Sequence, residues 1–243
     1  GGYPSPNLEI AHAFAKNPKA NPEAVLTELA TERYGKAAAP FARQAWSAFS
    51  NAFREFPYGG SVVYNAPQQY GPANLLFAEP TGYASTMVGF PYDDLTGWRS
   101  IYPAAVFAKQ FEKVAQGWKA GLGFFDKMMA VVEADKQAIT KEDLGVAKAA
   151  WLHFASVANQ VQFIIARDSI RKYHLTPAQK QIQLTEINSI LNNEMQLAKA
   201  LFEITQSDSR IGFEASNQYY YVPQDLMEKV INCEFIRSQL GSM

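Results

Sequence analysis

Apolar residues recur every three or four positions through most of this chain, and the recurrence lapses over one long aromatic stretch. Phe41, Ala42, Ala45, Trp46, Phe49 and Phe53 form one stripe, which predicts a helix from about Lys36 to Phe56 with Pro40 tolerable in its first turn. Pro103 opens a second seam through Phe107, Phe111, Val114, Trp118, Gly121, Phe125, Met128 and Val132. A third runs through Ala147, Trp151, Phe154, Ala158, Val161 and Ile165, with Thr140 and Asp143 resembling a capping box at its start. The fourth, through Leu184, Ile187, Leu191, Leu197, Leu201 and Ile204, begins at Thr176, Pro177 and Gln179. Seams of this spacing bury together as an antiparallel bundle of long helices, so the expected fold class is all-α.

Shorter elements flank these seams. Asn7 is placed to cap a turn over Leu8 to Lys16. Asn21 before Pro22 and Glu23 starts a helix that Gly35 stops. Pro223 begins a last helix through Leu226, Val230, Ile231, Phe235 and Ile236, ending near Gly241. Gly117, Gly121 and Gly123 each cost a helix about 1 kcal/mol relative to Ala. Close approach of a neighbouring helix, or a kink, is the expected return.

From Pro57 to Tyr102 the pattern is broken by Gly59-Gly60, Gly71-Pro72, Pro80, Gly82, Pro91 and Gly97. The stretch holds Tyr58, Tyr64, Tyr70, Phe77, Tyr83, Phe90, Tyr92, Trp98 and Tyr102, yet its charges are only Glu79, Asp93, Asp94 and Arg99. A solvated linker is charge-rich and ring-poor. Ordered irregular structure lying against another surface is therefore expected. The chain divides by pattern into residues 1–102, short helices plus this segment, and 103–243, the long-helix bundle, as parts of one compact domain.

Composition narrows the function classes. Hydrophobic residues at 48% and charged residues at 19% fit a folded protein. A net charge of −1 supplies no basic field for nucleic acid. No apolar run reaches the roughly 20 residues a membrane span needs. The single cysteine, Cys233, rules out an internal disulfide framework. Glu9 and His12 form one Glu-x-x-His pair without a second, so neither a di-iron site nor any other metal or cofactor is expected. The compartment stays undecided.

Two places carry candidate chemistry. Tyr92, Asp93, Asp94, Trp98 and Arg99 place adjacent carboxylates between aromatic rings, a composition suited to sugar hydroxyls or to acid–base work. The alternative is a turn whose Asp side chains bond their own backbone while Arg99 neutralises one of them. The connection after Ser207 carries Arg210, Glu214, Asn217, Tyr219, Tyr220 and Tyr221. There the choice lies between rings and polar groups that meet a ligand and an Arg210–Glu214 ion pair with rings packed on the bundle. Asp168 and Glu194, with Arg167 and Arg171 near, read as a buried network fixing helix register or, more sharply, as a catalytic pair.

The opening run from Gly1 to Asn7, and the run from Asp208 to Asn217 with Tyr219 to Tyr221, resemble parts of multidomain glycoside hydrolase-like proteins of the hexosaminidase and α-glucuronidase type. In these a helical domain follows a catalytic (β/α)8 barrel. The resemblance implies a non-catalytic C-terminal helical domain, a barrel on the same polypeptide as partner, a glycan as ligand, and a periplasmic or secreted setting. Catalytic carboxylates of such barrels sit on barrel strands, so none is carried onto this chain. The reading from another class is a freestanding helical binding or scaffold module that uses its aromatic loops for a protein or glycan. A third is an autonomous hydrolase using Asp93, Asp94 or Glu214.

Overall fold

A computed structural model describes residues 5–65, 67, 70–86, 91–214 and 218–242, with the backbone alone at 213, 214, 218, 219 and 242. The fold is an all-α helical bundle. Its helices are α1 (Pro6–Lys16), α2 (Pro22–Tyr34), α3 (Ala39–Phe53), α4 (Gly60–Tyr64), α5 (Leu95–Trp98), α6 (Ala104–Val131), α7 (Gln137–Lys172), α8 (Pro177–Ser207) and α9 (Pro223–Gln239). A two-residue antiparallel ladder, β1 (Phe213–Glu214) with β2 (Gln218–Tyr219), lies between α8 and α9.

Local chemistry sets several boundaries. Asn21 accepts from the backbone amides of Glu23 and Ala24 at 2.9 and 3.2 Å, and Gly35 ends α2 at φ +85°, where a side chain is disfavoured. Thr176 and Gln179 form a reciprocal capping box on α8. At α1 the N-cap is Ser5, not Asn7, because Pro6 occupies the first helical position with its φ already helical. The expected cap at Thr140 is also displaced. A 3-10 turn at Ala134–Lys136 leads straight into α7, so Thr140 lies inside the helix and its Oγ1 donates to the Lys136 carbonyl at 2.9 Å.

Contacts group the chain into two compact units, residues 1–54 with 116–148 and residues 55–115 with 149–243. This grouping cuts across a boundary at 102, because α6 and α7 are long enough to contribute to both units.

In the first unit, Ala30, Tyr34, Ala38, Ala42, Ala45, Phe125 and Met128 form the core. Its alanines let backbones come close. A Cβ built on Gly117 would stand 2.8 Å from the Ala52 Cβ, and one on Gly121 would stand 2.4 Å from Phe49 Cε1. Both glycines thus buy helix approach between α6 and α3, whereas a Cβ on Gly123 meets nothing within 4 Å. Arg33 grips Asp143 through two hydrogen bonds of 2.6 and 2.7 Å, and the Tyr34 hydroxyl donates to the same carboxylate at 2.6 Å.

The second unit buries Phe107, Phe111, Phe163, Ile187, Leu191, Leu201 and Leu226. The irregular stretch is held by polar side chains of the helices. Asn232 of α9 accepts from the Leu76 amide and donates to the Leu76 carbonyl, both at 2.9 Å, as a strand partner would. A ring of buried polar groups continues this hold. Asn74 donates to Gln160 at 2.6 Å, Gln160 to Ser156 at 2.9 Å, and Ser156 to Glu194 at 2.8 Å. Lys229 closes the ring by pairing with Glu194 and donating to the Asn74 carbonyl. Every member finds a partner, which is what lets such groups stay buried.

Candidate functional site

A turn at Tyr92 brings the carboxylates of 93 and 94 to a cleft of the second unit. Tyr92 takes φ +48°, a left-handed conformation uncommon outside glycine. Asp94 then caps α5, accepting from the Gly97 amide at 3.0 Å and from the Ser85 amide at 3.0 Å. Asp93 accepts from the Thr81 amide at 3.1 Å and the Thr81 hydroxyl. Its charge is met by Arg167 at 2.6 Å, with the two side chains 6% and 1% exposed.

Arg167 is the organising cation. Its guanidinium also donates to the Phe77 carbonyl at 2.9 Å and to Asp168 at 2.9 and 2.8 Å. Lys172 holds the other Asp168 oxygen at 2.6 Å. Burial pushes the Asp168 carboxyl up, but the hydrogen bonds and charges of Lys172 and Arg167 outweigh it and leave its pKa below the usual value. An ionised, doubly held carboxylate is a poor general acid. It remains a good hydrogen-bond acceptor, since a carboxylate has about four lone-pair sites.

Tyr83, Asp94, Thr96, Arg167 and Asp168 line one cleft of about 260 Å³. The Tyr83 ring is 65% exposed and rests on Tyr92 at 5.2 Å between centroids, tilted by 36°. The cleft thus joins an open aromatic face to carboxylates fixed by their own bonds.

The other sequence candidates fall elsewhere. Trp98 is fully buried, its Nε1 donating to the Pro91 carbonyl and to Ser85 Oγ, both at 2.9 Å. Arg99 donates to the Tyr102 carbonyl at 2.7 Å, so the cation expected there for an aspartate is supplied instead by Arg167. In the tyrosine connection, Arg210 bonds Asp208 at 2.9 and 2.8 Å. Tyr220 meets Tyr70 edge-on at 5.4 Å. The Tyr221 hydroxyl bonds His153 Nδ1, and its ring covers Gly212, where an added Cβ would stand 2.7 Å from Tyr221 Cδ2. Burial, then Tyr220, pushes the Tyr221 phenol up, and burial drives the His153 imidazole down to about 4. Asn217 and the side chains of Glu214 and Tyr219 lie outside the described residues.

Sequence reasoning counted Tyr83 among the rings of the irregular stretch without giving it a role. Its small neighbours Gly82, Ala84 and Ser85 were the available signal, since they leave a ring little local cover. Among the described residues, no helix is long and apolar enough to cross a membrane. Comparison with protein-family models, with curated proteins and with solved structures finds no match to this chain.

Proposed function

We propose that this chain is a non-catalytic helical domain of a carbohydrate-active enzyme, accompanying a catalytic barrel of the same polypeptide, and that the Tyr83 cleft takes one sugar unit of its glycan. The observation that carries the reading is the exposed Tyr83 ring standing beside Asp94 and Asp168 in one cleft. A sugar offers a C–H face to a ring and hydroxyls to carboxylates, and such sites combine apolar surface with a few convergent polar groups. The resemblance of the opening and late-tyrosine runs to glycoside hydrolase-like proteins supports the same class. The hydrogen bonds on Asp93, Asp94 and Asp168 favour binding over proton transfer, against the autonomous hydrolase.

The second reading, a protein-binding scaffold, has its own observation. Met227, Ile231 and Phe235 recur every four residues on α9 and are 49%, 69% and 60% exposed. A panel of immobilised glycans separates the two. Retention on a defined glycan family, weakened by Tyr83→Ala and unaffected by Ile231→Ser, is expected. No retention on any glycan, or retention that Ile231→Ser abolishes and Tyr83→Ala leaves intact, overturns the sugar reading.

A further inference from the structure

The charges around the Tyr83 cleft do not balance. Among the described residues, four carboxylates and three cations stand in or beside it: Asp93, Asp94, Asp168 and Glu79 against Arg167, Arg171 and Lys172. Arg167 meets Asp93 at 2.6 Å and Asp168 at 2.8 Å, and Lys172 takes the second Asp168 oxygen at 2.6 Å. Arg171 pairs with Glu79. Asp94 is left without a cation among the described residues. Arg99 does not line the cleft and donates instead to the Tyr102 carbonyl.

Asp94 is nonetheless firmly placed. Its two oxygens accept from the Gly97 and Ser85 amides, both at 3.0 Å. Neutral amides orient a carboxylate without cancelling its charge, and each oxygen keeps a further lone-pair site. A half-buried carboxylate in a cleft wall draws a counter-charge more strongly than one in open water, because less solvent screens it. Among the described residues, no three His, Cys, Asp or Glu side chains gather closely enough to hold a metal ion. The counter-charge that fits is an organic cation.

The second observation owes nothing to charge. Tyr83 is 65% exposed, and its one ring contact among the described residues is with Tyr92, which leaves its other face open. An open phenol face takes the C–H surface of a sugar, and its quadrupole also attracts a neighbouring ammonium. At about 260 Å³ the cleft has room for one ring. Open ring, size and uncancelled carboxylate together describe a single sugar unit that carries a positive charge.

We infer that the Tyr83 cleft selects an amino sugar with a free, protonated amine, such as glucosamine, whose ammonium pairs with Asp94 while its C–H face lies on Tyr83. The inference rests on the reading of this cleft as a glycan site and supplies its specificity. A neutral sugar lacks the counter-charge, N-acetylation removes it, and a uronate brings a second negative charge beside Asp94.

The test is calorimetric titration of the complete chain, in mildly acidic buffer, with four tetramers: β-1,4-linked glucosamine, its N-acetylated form, cellotetraose and tetragalacturonate. The first three share one linkage and differ only at C2, so the ligand is changed while the protein is not. The glucosamine tetramer is expected to bind at least about tenfold more tightly than either neutral tetramer. Tetragalacturonate does not bind, and added salt weakens the glucosamine complex alone. Asp94→Asn keeps a side chain able to cap α5 and brings the glucosamine tetramer down to the neutral level. Its amide cannot accept from both Ser85 and Gly97, so the salt and N-acetylation arms, run on wild type, carry the test if this variant melts early. Neutral tetramers bound as tightly as glucosamine, or a preference for glucosamine that salt leaves untouched, would overturn the inference and leave the glycan reading standing. Tetralysine that matches and displaces the glucosamine tetramer would make the occupant a peptide amine and overturn both. Absence of binding by every tetramer would also overturn both.

Discussion

Lys229 Nζ lies 2.8 Å from Glu194 Oε2, and both side chains are wholly shielded from solvent. The pair joins α9 to α8 and, through Asn74, to the irregular stretch that carries the Tyr83 cleft. Breaking a buried pair from one side leaves a bare charge, which costs about 3–5 kcal/mol. Lys229→Met or Glu194→Leu alone should therefore lower unfolding free energy by that order in denaturant titrations. The double variant should recover part of the loss, because no unpaired charge remains. Equal losses in the double and the single variants would show that the pair is not what holds these elements.

The glycines of α6 give a prediction with an internal control. Gly→Ala normally favours a helix by up to about 1 kcal/mol. At Gly117 and Gly121 the new methyl would press on Ala52 and Phe49, so overpacking should win and destabilise by about 1–3 kcal/mol. Gly123→Ala, with nothing within 4 Å, should stabilise. Thermal unfolding of the three variants checks the order.

His153 gives the pH dependence a direction. Its folded pKa, about 4, lies below the ordinary 6.5 because burial opposes the charge. The unfolded chain therefore binds the extra proton first as pH falls. This contribution to stability is complete above about 6.5 and is lost on descending towards 4, with a limiting slope of about 1.4 kcal/mol per pH unit. His153→Gln should flatten the stability profile between pH 4 and 6.5 relative to wild type. A profile of unchanged slope would mean that the ring takes up its proton in the fold as readily as in the unfolded chain.

Several local signals were readable, although the caps expected at Asn7 and Thr140 were displaced. Asn21, Gly35 and the Thr176–Gln179 box act within one turn of chain, and the four apolar seams declare their helices by period alone. The charge partners were not legible. Asp93 pairs with Arg167 across 74 residues of sequence rather than with nearby Arg99, and Asp143 serves Arg33 and Tyr34 rather than a helix cap. Only the packed helices bring these groups together. The irregular stretch was expected to be ordered against another surface. The means of order, backbone bonds to Asn232 and Lys229 side chains on α9, has no pattern along the chain. Tyr220 and Tyr221 were legible as rings needing cover, and Tyr70 and His153 are partners that no local spacing could name.

Glycan recognition by the Tyr83 cleft is tested most directly by calorimetric titration of the complete chain with the glycan it retains, in parallel for wild type, Tyr83→Ala and Thr96→Ala. Both residues line the cleft and are exposed, so neither substitution should move the melting temperature appreciably. Saturable binding to wild type that weakens at least about tenfold in Tyr83→Ala is the expected result. Equal affinity for wild type and Tyr83→Ala, at matched melting temperatures, would contradict it.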